Sequence, residues 1–195
     1  MLSDRDIRAY IDRGALIVRK GGVLGDRLSD HQFQPNSIDI HLGRSFICQP
    51  WPGGKNEMRT CDEKGGILLS PGERILATTL EWVGLPNFLA ARIEGVSTQA
   101  RRGIINQLAP LIPAGFQGEI TLEIQNTNPV PVMLVPGEKI GQLTFELLTT
   151  PAERPYGHPD LRSKYQHQQG ATSPREEAAP EYIAPEHRPP EPARG

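Results

Sequence analysis

Short apolar stretches separated by proline and glycine are the feature that most limits how this chain can fold. The 195 residues include 19 prolines and 20 glycines. From Leu16 onward, the pattern indicates many short strands joined by tight turns, which is typical of a β-sandwich or β-barrel. The first residues differ, because Ser3 or Asp4 can cap a short amphipathic helix that stops at Gly14.

Two Pro-Gly pairs mark turns in similar surroundings. Pro71-Gly72 and Pro136-Gly137 are each followed by a glutamate, a basic residue and an isoleucine. Proline presets its own φ and glycine accepts a positive φ, which is the combination that a type II turn requires. We therefore predict a strand directly after each pair.

The segment from Glu119 to Ile124 alternates between polar and apolar residues. A period of two places Ile120, Leu122 and Ile124 on one face of a strand and the intervening side chains on the other. The pattern predicts a half-buried strand whose residues 121 and 123 point away from the core.

Charge and cysteine content exclude several classes of function. The formal net charge is -2 and the basic residues are spread along the chain, so we expect no binding to duplex nucleic acid. Cys48 and Cys61 belong to no metal-binding or disulfide pattern, which argues against a zinc site. The sequence has neither an apolar leader nor a membrane-length apolar run, and we expect a cytoplasmic protein that does not bind membranes.

The length of the chain suits one domain followed by a tail. A domain of ordinary size can be built from fewer than 195 residues, whereas two would be crowded. From residue 171 onward, proline, glutamate, alanine and arginine dominate, and such a composition cannot offset the entropy of ordering. We predict a disordered tail over residues 171–195.

A hydroxyl-rich segment is one candidate binding site. Ser97 and Thr98 follow a predicted strand and precede Arg101 by about one helical turn. Hydroxyls, free N–H groups and an arginine at a helix start can hold a phosphate group. The same residues also suit an ordinary serine N-cap with solvated arginines, and the local pattern does not separate these interpretations.

Glu123 is a candidate general base. A glutamate on the polar face of a strand is usually just solvated. However, the preceding residues 115–118 contain two glycines, which can let another backbone segment approach closely. A carboxylate beside such a turn is able to take part in proton transfer.

A longer motif near the N-terminus resembles the signature of a known protein family. The run Gln34-Pro35-Asn36-Ser37-Ile38-Asp39-Ile40-His41-Leu42-Gly43 resembles the N-terminal signature of dCTP deaminases. Residues 94–103, 114–123, 136–146 and 163–175 are similar to further motifs of that family, in the same order and spacing. Five collinear motifs are far more specific than any short pattern taken alone.

The resemblance implies an all-β fold of the dUTPase type. This fold is a distorted β-barrel, jelly-roll-like and also called a β-clip, with a short N-terminal helix and few other short helices. It would span residues 1–170, of which about 151–170 form a lid over the site. The resemblance also implies a homotrimer in which each site lies between subunits.

The activity implied by the resemblance is hydrolytic deamination of dCTP to dUTP and ammonia, with no zinc. Glu123 corresponds to the catalytic glutamate, which would activate water for attack at C4 of cytosine. Mg²⁺ would be held through the substrate triphosphate rather than by the protein. The residues expected to bind substrate are Ser97, Thr98 and Arg101 for the triphosphate, Lys164 and Gln168 in the lid that closes over the phosphates, Tyr156 near the sugar, Ala109 and Leu111 at the pyrimidine, and Thr121 beside the glutamate.

This chain departs from the family pattern at three places. Val96 replaces an arginine before the hydroxyl pair, although the neighbouring Arg102 offers a charge, and the stretch between Gly103 and Gly115 is one residue shorter than usual. Pro113 replaces an aspartate that serves triphosphate cleavage in related diphosphatases. Alternatives therefore stay open, namely a bifunctional deaminase and diphosphatase that forms dUMP and pyrophosphate, or a relative that acts on another cytosine nucleotide or only binds nucleotide.

Overall fold

Antiparallel strands make up most of the regular secondary structure in this computed structural model, which describes residues 1–22, 24–48, 57–60 and 65–175. The described strands are Ile17–Lys20 (β1), Phe33–Gln34 (β2), Ser37–Cys48 (β3), Glu57–Thr60 (β4), Ile67–Leu69 (β5), Arg74–Gly84 (β6), Leu89–Gly95 (β7), Ile104–Ile105 (β8), Leu111–Ile112 (β9), Gln117–Asn126 (β10), Val132–Leu134 (β11) and Lys139–Leu147 (β12). The α-helices are Asp4–Asp12 (α1) and Ser97–Arg101 (α2), and 3₁₀ turns cover Asp30–Gln32 and Pro159–Leu161. The predicted all-β architecture with a short N-terminal helix is therefore confirmed.

One long strand joins two parts of a curled sheet. The first half of β3 pairs with β12, and its second half pairs with β6. The strand order is β8-β10-β6-β3-β12-β7-β9, while β5 and β11 form a separate two-stranded sheet. Because β3 belongs to both halves, the sheet bends around a main apolar core that includes Phe46, Leu122 and Phe145.

The two predicted Pro-Gly turns are present. Gly72 and Gly137 have φ values of 78° and 86°, and in both turns the N–H of the following glutamate donates to a carbonyl three residues earlier. These values suit the third position of a type II turn. Strands β6 and β12 follow directly, as predicted.

The predicted N-terminal helix is also confirmed. Ser3 precedes α1, and its side chain accepts a hydrogen bond from the backbone N–H of Asp6. Ile7 faces the core and is fully buried. The guanidinium of Arg8 lies 3.8 Å from the ring centre of Phe33, which fixes the exposed side of the helix to the chain before β3.

The Gln34 to Gly43 motif has a structural role. The carboxylate of Asp39 accepts hydrogen bonds from Gln34, Lys139 and Gln142, and so joins β2 and β3 to β12. His41 contacts the fully buried carboxylate of Glu81 through both its backbone N–H and its ring, each at 2.8 Å. Buried carboxylates need such partners, and these bonds tie β3 to β2, β12 and β6.

The C-terminal segment lies against the sheet. Ala171 is buried against Ile47 and Leu76, and its N–H donates to the hydroxyl of Ser45 at 2.9 Å. The predicted tail is described as far as Arg175, and residues 176–195, like Cys61, lie outside the described residues. Within the described ranges, no helix combines the length and apolarity needed to cross a bilayer.

Candidate active site

A cavity of about 330 Å³ lies between three parts of the chain that are distant in sequence. Strands β6 and β10 form its floor, and the segment around β9 forms one wall. The C-terminal segment, residues 156–174, covers it and is called the covering segment below. Six residues predicted from the sequence lie in this cavity. They are Ala109, Leu111, Thr121, Glu123, Tyr156 and Gln168.

Glu123 occupies the floor of the cavity and is half-buried. Burial raises the pKa of its carboxyl, because desolvation disfavours the charged form. Its own backbone, the positive charge of Arg74 and the backbone of Ala109 act in the opposite direction and lower the pKa. A carboxyl with a raised pKa that still ionises is suited to both accepting and returning a proton.

Two residues that line the cavity each carry a buried side-chain oxygen without a hydrogen-bond partner among the described residues. These atoms are the hydroxyl oxygen of Thr121 and the side-chain oxygen of Gln168. The amide nitrogen of Gln168 donates to the carbonyl of Glu119 at 2.7 Å, which identifies the remaining atom as a hydrogen-bond acceptor. Buried polar atoms usually have partners, so these two oxygens are exceptions in the lining of the cavity.

The C-terminal segment covers the cavity by pairing with the start of β10. The N–H of His167 donates to Gln117, and the N–H of Glu119 donates to Gln168. The carboxylate of Glu119 also accepts the N–H of Gly170 at 2.7 Å.

The close approach of another backbone segment, predicted from the two glycines that precede Glu123, is confirmed. A Cβ at Gly118 would lie 3.0 Å from the carbonyl oxygen of Gln168, and one at Gly115 would lie 2.9 Å from the nitrogen of Tyr156. Both glycines have positive φ values, of 152° and 90°. The absence of a side chain therefore permits the covering segment to pack directly on this turn.

Four predicted site residues do not line the cavity of their own chain. Ser97, Thr98 and Arg101 are exposed on α2. Lys164 is half-buried in the covering segment but does not reach the lining. The N-cap of α2 is Val96, whose side chain makes no capping bond, so the ordinary serine N-cap considered from the sequence is not formed.

Arg102 does not replace the charge that is missing at Val96. Its guanidinium donates to Gln99 and to Glu138, each at 3.0 Å, and to the carbonyl of Met133. These bonds attach α2 to the turn between β11 and β12. Arg102 therefore has a structural role, whereas Arg101 remains exposed.

Several lining residues were not identified from the sequence. Arg74 and Leu76 reach the cavity because β6 pairs with β10 and places Leu76 opposite Glu123. Tyr165 belongs to the recognised C-terminal motif but was not singled out, and Phe116 packs against Tyr156 with ring centres 5.9 Å apart. Pro113, one of the three departures from the family pattern, lines the same cavity.

No group of three or more His, Cys, Asp or Glu side chains that could hold a metal ion occurs within the described ranges. Among the residues lining the cavity, Glu123 supplies the sole carboxylate. A divalent cation in this cavity would therefore take most of its oxygen ligands from a bound ligand and water.

Comparison with known proteins gives a consistent result. A family model described as dCTP deaminase-like matches residues 1–148. A protein of Methanosphaera stadtmanae named "dCTP deaminase, dUMP-forming" is 39% identical over 184 residues, covering 87% of this chain and 90% of the relative. A protein of Methanothermobacter thermautotrophicus with the same name is 42% identical over 180 residues, covering 85% of this chain and 88% of the relative.

A solved structure supports the fold. The crystal structure of 2'-deoxycytidine 5'-triphosphate deaminase from Agrobacterium tumefaciens aligns with a TM-score of 0.59 at 24% sequence identity. The alignment covers 75% of this chain and 47% of that longer chain. This similarity confirms the predicted fold class.

Proposed function

The chain belongs to the dCTP deaminase-like family, and from this premise we propose that it hydrolytically deaminates dCTP. The observation that carries the proposal is the half-buried carboxyl of Glu123, which has a raised pKa and lies in a cavity beside unpaired polar atoms. Water adds to C4 of cytosine as Glu123 accepts its proton. Glu123 passes this proton to N3, then takes the remaining proton of the added hydroxyl and gives it to the amino group, so that the C4 carbonyl forms as ammonia leaves.

The remaining cavity residues suit recognition of the base and sugar. The free oxygen of Gln168 accepts hydrogen bonds, and a phosphate group near neutral pH offers mainly acceptors, so we assign Gln168 to an N–H or O–H donor of the nucleotide rather than to its phosphates. Thr121 and the backbone of Ala109 lie beside Glu123 and complete the polar lining. A magnesium ion would be held chiefly by the substrate triphosphate and water, since Glu123 is the sole carboxylate among the residues that line the cavity, and it would neutralise phosphate charge.

The main test compares the wild type with Glu123→Gln. The two side chains are nearly isosteric, but the amide cannot accept the proton, so we expect ammonia release to fall by about 10²-fold or more. Binding of dCTP, measured by calorimetry, should remain within a few-fold of wild type. Near-wild-type ammonia release by the variant would refute the role of Glu123.

The product after deamination is a separate question. The relatives are named dUMP-forming, which favours the combined deaminase and diphosphatase over release of dUTP. One observation in this chain favours dUTP instead, because Pro113 lies in the cavity where the family resemblance implies an aspartate. Incubation with dCTP and with dUTP, reading ammonia and pyrophosphate separately, distinguishes the two products.

We further propose that each complete site forms between copies of the chain in a trimer. The support is the position of Ser97, Thr98 and Arg101, which are exposed on α2 and do not line the cavity that contains Glu123. A second copy is needed to bring these candidate phosphate ligands to that cavity.

Subunit mixing tests this arrangement. Glu123→Gln and Arg101→Ala should each be inactive alone. Refolding them together should restore part of the activity, because some sites receive both intact residues. A control mixture of Glu123→Gln with the double variant should recover none, and equal activity of both mixtures would contradict a shared site.

A further inference from the structure

Arg74 lines the cavity but has no role in the proposed function. It lies at the start of β6, next to the turn at Pro71-Gly72, and its side chain is exposed at the cavity. An arginine on a strand surface usually makes no specific contribution. Its place in the pairing of β6 with β10 distinguishes Arg74 from such residues.

The register brings Arg74 and Glu123 onto one face of the sheet. Leu76 is opposite Glu123, and Arg74 is opposite Gln125. Arg74 is therefore a diagonal neighbour of Glu123, at a separation that long side chains span. Arg74, Leu76 and Glu123 all line the same cavity.

The charges around Glu123 are few. The titratable groups that line the cavity with it are Arg74 from β6 and Tyr156 and Tyr165 from the covering segment. On β10 itself, Glu119 lies on the same face, but its carboxylate accepts the N–H of Gly170. Arg74 is thus the one cation among the described residues lining the cavity.

The guanidinium of Arg74 is not committed to another group. It donates no hydrogen bond and forms no ion pair within the ranges that the structure describes, in contrast to Arg102 on α2. Its electrostatic effect falls on Glu123, where the positive charge opposes the effect of burial. A carboxyl at the bottom of a partly desolvated cavity needs such a charge to stay ionised.

We propose that Arg74 is a positioning residue whose positive charge favours the ionised form of the Glu123 carboxyl in the open cavity, the form that accepts a proton. The proposal rests on the proposed function for its catalytic meaning. The electrostatic coupling itself is a property of the ligand-free protein and can be measured without turnover.

The test is a titration of the full-length protein with ¹³C-labelled glutamate side chains. The resonance of Glu123 is assigned by its absence in Glu123→Gln, and its midpoint is compared in wild type, Arg74→Gln and Arg74→Lys. We expect the midpoint of Glu123 to move to higher pH in Arg74→Gln and to return toward wild type in Arg74→Lys. Arg5→Gln, which removes an exposed arginine on α1, is the matched control and should titrate like wild type.

Kinetics provide the second readout. In Arg74→Gln the acid limb of kcat/KM should move to higher pH. The ratio of kcat/KM at pH 6 to kcat/KM at pH 8 should then fall by up to about fivefold. A change of this size corresponds to the energy of a charge pair with one exposed partner. Identical titration of Glu123 in wild type and Arg74→Gln would overturn the proposal. If Glu123→Gln kept full activity while the titration still shifted, the coupling would stand and the proposed function would fail.

Discussion

At the scale of one residue, Glu123 shows how a partly buried site residue can lower the stability of the folded chain. Burial raises the pKa of its carboxyl above the ordinary value, so the folded chain holds this proton more tightly than the unfolded chain. The stabilising contribution is complete below the unfolded pKa of about 4.3 and is lost as pH rises through the folded pKa. Above the folded pKa, the ionised carboxylate therefore lowers the free energy of unfolding.

The direction of this pKa shift leads to a prediction about Glu123→Gln. The neutral amide removes the penalty for burying a charge, so the variant should unfold at a higher temperature than wild type at pH 8. At pH 4 and below, where the wild-type carboxyl is protonated, the difference should disappear. Thermal unfolding at both pH values checks this, with Glu153→Gln, a substitution at an exposed site, as the control. A variant less stable than wild type at pH 8 would contradict it.

At the scale of elements, the cavity depends on how the C-terminal segment docks on the start of β10. The backbones of Gln117 and Glu119 exchange hydrogen bonds with His167 and Gln168, and Gly118 lies between them. This arrangement places the side chain of Gln168 over the floor that holds Glu123. Closure of such a segment excludes water and completes a site.

Gly118→Ala should weaken this docking. The added methyl group would lie 3.0 Å and 3.1 Å from backbone atoms of Gln168, at a residue whose φ of 152° already disfavours a side chain. We expect KM for dCTP to rise about tenfold, with a smaller change in kcat, because the loss of one or two hydrogen bonds costs roughly 1–2 kcal/mol.

Gly14→Ala is the matched control for this substitution. Gly14 also has a positive φ, but no atom lies within 4 Å of an added Cβ. This variant should lose about 1–2 kcal/mol of stability and keep the wild-type KM. An equal rise of KM in both variants would indicate general strain rather than displacement of the covering segment.

On the scale of the whole molecule, the cavity joins segments that are far apart in the sequence. Residues from β6, from the stretch 109–123 and from the C-terminal segment meet around one space. Ala171 anchors the last of these segments against Ile47 and Leu76, and Leu76 is itself a lining residue. Residues 171–175, at the end of the described chain, therefore help to form the cavity.

Two truncations separate the roles of the C-terminal residues. Ending the chain after Arg175 keeps Ala171, Thr172 and Pro174, so kcat and KM should stay within about twofold of wild type. Ending it after Gly170 removes the anchor and two lining residues, so KM should rise by about tenfold or more, a scale that corresponds to roughly 1.4 kcal/mol. Steady-state kinetics on both proteins check this, and identical behaviour of the two truncations would contradict the anchoring role of residues 171–175.

The sequence by itself determined the features that depend on neighbouring residues. The helix at Asp4–Asp12, the two Pro-Gly turns and the alternation along β10 follow from capping, φ preferences and side-chain period, and all are confirmed. The ordered motifs were also enough to identify the family, although the most recognisable of them, around Asp39, holds strands together and does not line the cavity.

Tertiary structure alone decided which side chains surround Glu123. The nearness of Arg74 depends on the register of β6 and β10, which is shifted between Glu119 and Thr121, and no local periodicity encodes that pairing. The unpaired oxygens of Thr121 and Gln168, and the binding of Arg102 to Glu138, likewise arise from contacts between segments distant in the chain. Burial and charge at a site are sums over such distant neighbours, so they become defined when the chain is folded.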